Sequence, residues 1–234
     1  MPKIIRLLFR FESEYSSDPQ FISGNALRHA LSSQLNTSVG IFTRSALLDQ
    51  PKTYEEFFAY RTKKCFLHPY FELWYDKRNH RRAFRYFFLP EAVTFDVLNP
   101  PENLIELIQG KEFIQFGGNR NCGFGMVRLQ DSIEINVDQL QFPDRASHLT
   151  FLSPSIVVPP YVERYKCRYM PTTIWNHAKA NVIQVIAPGQ FFRIKPGKSV
   201  STVARKGLLR KGLFGQFGFG EFMVHNWNKQ EAHG

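Results

Sequence analysis

The chain has 234 residues, 43% hydrophobic and 15% aromatic, with three cysteines and a net charge of +10. That length and apolar content suit one large domain or two small ones and exclude wholesale disorder. No segment approaches the ~18 unbroken apolar residues of a membrane helix, so a soluble cytoplasmic protein with no membrane partner is expected. Cys65, Cys122 and Cys167 are scattered, without a C-x-x-C or a histidine pair at ligand spacing. The expectation is a reducing compartment, no metal and no cofactor.

In chain order, Ile4 to Phe11 alternates apolar and polar residues and predicts a first strand, entered directly from Met1-Pro2-Lys3. Ser23-Gly24-Asn25 supplies cap residues for a short amphipathic helix, with Leu27, Leu31 and Leu35 on one face. Thr53 to Phe58 adds a helical turn. The aromatic runs around residues 65–75 and 83–89 read as paired strands. Between them Lys77, Arg78, His80, Arg81 and Arg82 make a basic tip, which alone is a solvated loop as readily as a binding site.

Pro100-Pro101-Glu102 opens a second helix, Asn103 to Gln109, with the proline and acid that a helix N-terminus favours. A glycine-aromatic phrase, Phe116 to Val127, runs into a strand from Met126 to Leu129. The order strand, helix, two strands, helix, strand is that of the ferredoxin-like split βαβ arrangement, which RNA-recognition folds also use.

A polar stretch around residues 140–148 separates the halves, giving units 1–142 and 143–234, the second smaller or degenerate. Strands are predicted from Leu149 to the prolines at 159 and 160, and at Asn181 to Ile186, Gln190 to Ile194 and Phe222 to Asn226. The glycine phrase returns there, as Phe214-Gly215-Gln216-Phe217-Gly218-Phe219-Gly220-Glu221-Phe222-Met223-Val224. One copy alone reads as a tight turn or bulge. Two copies imply an α+β chain of tandem ferredoxin-like (RRM-like) units, each presenting one loop.

Charge is distributed unevenly. Between Glu163 and Glu221 no acid occurs, while Arg164, Lys166, Arg168, Lys179, Arg193, Lys195, Lys198, Arg205, Lys206, Arg210 and Lys211 all fall in that interval. A field of one sign repels itself unless it faces a polyanion, and nucleic acid is the obvious one. Arg205, Lys206, Arg210 and Lys211 lead into Gly215, Gly218 and Gly220, a spacing at which cations and backbone N–H groups can meet the same phosphates. Asn119 and Arg120 offer the analogous contact in the first loop. Phe217 and Phe219 are candidates for base stacking, although one phenylalanine among 23 is more often core.

Both glycine phrases, Thr150-Phe151-Leu152-Ser153-Pro154-Ser155-Ile156-Val157-Val158, Phe192-Arg193-Ile194-Lys195-Pro196-Gly197 and Ile22-Ser23-Gly24-Asn25-Ala26-Leu27-Arg28 together resemble the RAMP superfamily of CRISPR-associated proteins. The resemblance implies tandem ferredoxin-like domains that bind CRISPR RNA, with other Cas effector subunits as possible partners. One branch comprises the endoribonucleases that cut repeat RNA to mature guides. The other comprises subunits that cap the 5′ handle of the guide RNA, and a glycine-rich loop in each half resembles that branch. An unrelated protein of structured RNA is the third reading.

The endonuclease branch implies a metal-independent reaction in which a base takes the 2′-hydroxyl proton and an acid protonates the leaving 5′-oxygen. Histidine suits either step. His29, beside Arg28 on the first helix and off its leucine face, is the first candidate, read equally as a surface histidine without a role. Tyr15 is a candidate for positioning RNA across a cleft, or for packing. His177, near Lys179, is a substitute. His68 before Pro69 reads as structural and His80 as an RNA contact in the basic tip. Lys195 and Lys198 join the RNA-binding set.

Overall fold

In the computed structural model the described residues are 2–16, 21–62, 69–76, 81–118, 120–163, 166–176, 179–210 and 215–226. For 60–62, 69–76, 81–87, 173–176, 179–180 and 216 the description is of backbone alone. The chain divides into two compact units, residues 1–50 with 63–138, and residues 51–62 with 139–234.

The first unit contains β1 (Lys3–Phe11), α1 (Gly24–Leu31), β2 (Asn36–Thr37) and β3 (Ile41–Thr43). The next helix along the chain, α2 (Tyr54–Thr62), belongs to the second unit. The first unit resumes with β4 (Pro69–Asp76), β5 (Arg81–Phe88), β6 (Ala92–Leu98), α3 (Leu104–Gln109), β7 (Ile114–Gln115) and β8 (Met126–Asn136). Its main sheet runs β2-β6-β1-β8-β7, with β3 also on β6, and every pairing is antiparallel. With β2 and β3 as one interrupted strand, the order is fourth, first, third, second, as in a ferredoxin-like sheet.

Leu7, Phe9 and Phe11 of β1, Val93, Phe95 and Val97 of β6, and Val127 of β8 share one core with Leu27 and Leu31 of α1 and Leu104 and Ile108 of α3. Alternation in β1 sets this face, because strand side chains repeat every two residues. α1 stops at Ser32, which takes φ 52° and closes the turn.

The expected inner pair of strands, the aromatic runs, instead forms a separate two-stranded sheet, β4-β5. The third strand of the main sheet is β6, which the sequence reading did not single out. All seven of its residues are buried, including Thr94 and Asp96. A strand buried on both faces has no alternation to detect. Asp96 is accommodated by Arg6 directly opposite on β1, with Nε–Oδ1 2.8 Å and Nη2–Oδ2 3.1 Å.

The second unit contains β9 (His148–Phe151), β10 (Tyr169–Asn176), β11 (Lys179–Ile186), β12 (Phe191–Arg193), α4 (Val200–Leu208) and β13 (Phe222–His225). Its sheet is β12-β9-β13, and β10-β11 is a separate hairpin sheet. Phe192, Leu149 and Val224 align across the three strands and are buried on the core face, with Phe151 and Phe222 beside them. β9 is shorter than expected: it ends at Phe151, before Ser153 and Pro154.

Residues 51–62, assigned to the first half by the sequence reading, fold with the second unit. The Tyr54 amide donates to Gln141 O at 3.0 Å, and Tyr54, Phe57 and Phe58 are fully buried. The Tyr54 hydroxyl accepts from Val224 N at 3.0 Å and donates to Phe222 O at 3.5 Å. Burial holds this phenol above its ordinary pKa, so it stays a donor. These two backbone groups point away from β9, whose flanking residues Ser147 and Leu152 donate to the alternate positions His225 O and Glu221 O. A side chain thus occupies the edge of β13 that β7 occupies on β8 in the first unit.

Candidate nucleic-acid interface

The two glycine phrases build the same object. A single 3-10 turn, Arg120–Cys122 or Gly215–Phe217, is closed by Gly123 N to Arg120 O or Gly218 N to Gly215 O, each 2.9 Å. The sequence Gly-Phe-Gly follows, with both glycines at positive φ: 86° and 73° in the first copy, 86° and 83° in the second. A strand then begins at β8 or β13.

Each loop is fastened in the same way to the segment that follows the first strand of its unit. Gly125 N donates to Glu14 O at 2.6 Å and Gly220 N to Pro154 O at 2.7 Å. Ser13 Oγ accepts Met126 N at 2.8 Å, and Ser153 Oγ accepts Glu221 N at 2.9 Å. The hairpins match as well: Tyr15 bridges Phe88 as Ser155 bridges Ile186. The copies differ in what surrounds the last glycine. A Cβ on Gly125 would collide with Phe116 O, whereas at Gly220 nothing lies within 4 Å. Gly220 is glycine for its backbone angle alone, and its α-carbon faces open space.

α4 leads toward the second loop. Its Ser199 cap accepts Thr202 N at 3.4 Å, and Val203, Ala204, Gly207 and Leu208 are its buried face. Arg205 and Lys206 lie off that face. The Arg205 guanidinium sits 5.1 Å from the Phe142 ring centre and the Lys206 ammonium 5.4 Å from that of Tyr161. Both cations are thus held over aromatic rings.

Two expected site residues are buried. Tyr15 is 1% exposed and packs against Phe11, Phe42 and Phe88, the packing role that the sequence offered beside RNA positioning. Arg210 is 2% exposed, takes φ 45°, and pairs with the buried Glu221, Nη1–Oε1 3.4 Å. It fastens the root of the loop through that buried pair. Phe219 is 5% exposed and also core, while Phe217 is half-buried.

His29 is exposed on α1, and Arg28 beside it donates from Nη2 to Gln34 Oε1 at 2.5 Å. Arg120, Lys195 and Lys198 are exposed, with Lys195 Nζ donating to Pro160 O at 2.7 Å. His29, Arg28 and Arg120 belong to the first unit, and Lys195, Lys198, Arg205, Lys206, Gly215, Gly218 and Gly220 to the second. Asn119, His177, Lys211, Arg78, His68 and His80 lie outside the described residues, as do the side chains of Arg81 and Arg82.

The sequence reading missed the outward face of the second unit's sheet. Register aligns Arg193, His148 and His225 across its three strands, and Phe191, Thr150 and Met223 in the next row. The His148 and His225 rings stack at 6.4 Å between centres. His148 Nδ1 is 2.8 Å from Ser147 Oγ, and His225 Nε2 is 2.7 Å from Thr150 Oγ1. Desolvation first, then the nearby His225 and Arg193, lowers the His148 pKa below the ordinary histidine value.

Among the described residues no group of three or more His, Cys, Asp or Glu is placed to hold a metal ion, and no helix is long and apolar enough to cross a membrane. No family model and no curated protein matches the chain. Solved structures do. The CRISPR associated protein Cas6 is 11% identical with a TM-score of 0.45, over 96% of this chain and 99% of that one. A chain of the Csm3-Csm4 subcomplex in the type III-A CRISPR-Cas interference complex is 9% identical with a TM-score of 0.42, over 85% and 94%. A chain of the Csm1-Csm4 cassette in complex with AMPPNP is 12% identical with a TM-score of 0.35, over 85% and 90%.

Proposed function

We propose that the chain is a CRISPR RNA-binding protein of the RAMP type that cuts repeat RNA without a metal. The observation that carries the binding reading is the second glycine loop. It is a positive-φ turn with open space at Gly220, approached by a helix whose outward cations, Arg205 and Lys206, stand in a stretch without acids. Backbone N–H groups and cations so arranged suit a phosphodiester chain.

For cleavage, His29 is the proposed general base. It takes the proton of a 2′-hydroxyl, the 2′-oxygen bonds to the adjacent phosphorus, and the P–O5′ bond breaks as the departing 5′-oxygen takes a proton from a general acid or water, leaving a cyclic phosphate and a 5′-hydroxyl. A cation such as Arg28 would steady the charge that builds on the phosphate oxygens. A second reading, a subunit that caps the guide 5′ handle and does not cut, is favoured by the matching loop in the first unit. In that reading other effector subunits are partners.

Purified protein incubated with repeat RNA in EDTA separates them. A defined cut with a cyclic-phosphate end, lost in His29→Ala, supports the endonuclease; tight binding without a cut supports capping. Lys206→Ala and Arg205→Ala together should weaken binding and reduce the salt slope by about 0.7 for each phosphate no longer neutralised. An unchanged slope removes α4 from the RNA path.

A further inference from the structure

The outward face of the second unit's sheet ends at a cavity of about 530 Å³ lined by His148, Lys166, Arg168, Phe191 and Arg193, among others. We propose that this cavity is a nucleotide subsite, holding one residue of single-stranded RNA with its base on Phe191 and its phosphate among Arg193, Arg168 and Lys166. The proposal rests on the RNA-binding reading above but concerns residues that reading does not use.

Four observations carry it. Phe191 is 51% exposed on a strand whose next residue, Phe192, is fully buried, so the sheet places a half-exposed ring, edge-on to His148 at 6.3 Å between centres, at the cavity mouth. Such a ring is a stacking platform that any base can use. Lys166, Arg168 and Arg193 are all exposed, and among the described residues the acid that faces them is Glu163, with Oε1 3.9 Å from Arg193 Nε. Three cations against one carboxylate leave the cavity with a positive field.

The walls are also fixed. Arg168 N donates to Gln190 Oε1 at 2.8 Å, Gln190 Nε2 returns to Arg168 O at 3.3 Å, and Ala187 N donates to Arg168 O at 3.0 Å. The strap 166–168 is thus tied to the turn that precedes β12, and the cations arrive on a braced backbone. Finally, the volume lies in the range of about 300–1,000 Å³ usual for small-ligand sites. His148, fixed by Ser147 Oγ, lines the same cavity and reports on its occupancy.

The test has two arms on the full chain. In the first, UMP, AMP and inorganic phosphate are titrated against protein labelled at histidine, and the His148 ring resonances are followed by NMR. Saturable shifts with both nucleotides, abolished in Phe191→Ala, are expected. Shifts equal with phosphate alone and indifferent to Phe191→Ala would overturn the proposal, as would no shift at all.

In the second arm, binding of a fluorescein-labelled eight-residue oligouridylate is compared between wild type, Phe191→Ala and Arg168→Ala. Each variant should bind at least about fivefold more weakly. Wild-type affinity in both, with Lys206→Ala still weakened, sinks the subsite and leaves the RNA reading intact. A nucleotide response without oligouridylate binding overturns the proposal as stated, because the cavity then takes a free nucleotide and not a residue of an RNA strand. Both side chains are exposed, so an unchanged unfolding temperature checks the fold.

Discussion

His148 is held below the ordinary histidine pKa. Its partial burial, the facing His225 and the guanidinium of Arg193 all disfavour a second proton, while Glu163 opposes them. The folded pKa is depressed below the unfolded value, so between the two the unfolded chain binds more protons. The contribution to stability is then present above about pH 6.5 and is lost as pH falls through the folded pKa. An NMR titration should place the His148 midpoint below that of a free histidine, and Arg193→Gln should move it upward. A midpoint at the ordinary value in wild type would mean that Arg193 and His225 do not act on the ring as their alignment implies.

Among the elements, α4 shows how a rule of local propensity is overruled by packing. Glycine inside a helix normally costs about 1 kcal/mol relative to alanine. At Gly207, however, a Cβ would collide with Phe222 O and lie 2.6 Å from the Phe222 ring. The helix is seated on β13 at a depth that only a hydrogen allows. Gly207→Ala should lower stability by about 1–2 kcal/mol net, read from the denaturation midpoint, because overpacking by one methyl costs about 1–3 kcal/mol. A gain would mean that α4 can lift without penalty.

The same helix shows what the sequence hides. Leucines at 27 and 31 announced α1, although the helix ends at Leu31 and Leu35 lies beyond it, and alternation announced β1. Val200 to Leu208 carries two valines, a threonine and a glycine, poor helix formers, and reads as nothing in particular. Pro171 similarly masks β10. The His148 and His225 pair was illegible for another reason. The two lie 77 positions apart, and only the register of β9 with β13 sets them opposite one another. The glycine loops were legible because their chemistry is local: Gly-Phe-Gly carries its own backbone instruction. Arg210 was misread since charge in a sequence does not say whether a partner, here Glu221, awaits it in the interior.

For the whole molecule, the chain path is interleaved: it leaves the first unit at residue 50, contributes α2 to the second, and returns at 63. Cutting between the halves would therefore strip the second unit of a helix. A fragment of residues 143–234 lacks Tyr54, Phe57 and Phe58, three fully buried rings worth about 1.5–3 kcal/mol each, a deficit comparable to the ~5–15 kcal/mol that holds a domain folded. That fragment should fail to show a cooperative thermal transition, and fusing residues 51–62 to it through a flexible linker should restore one. A fragment that melts cooperatively alone would show that α2 is dispensable.

The phenol of Tyr54 does in miniature what a neighbouring strand does elsewhere. By taking up Val224 N and Phe222 O it fills two of the ladder positions that a neighbouring strand would use. Tyr54→Phe keeps the ring and its cover and removes only the hydroxyl, so the buried Val224 N–H loses its acceptor and stability should fall by about 1–3 kcal/mol, read from the denaturation midpoint.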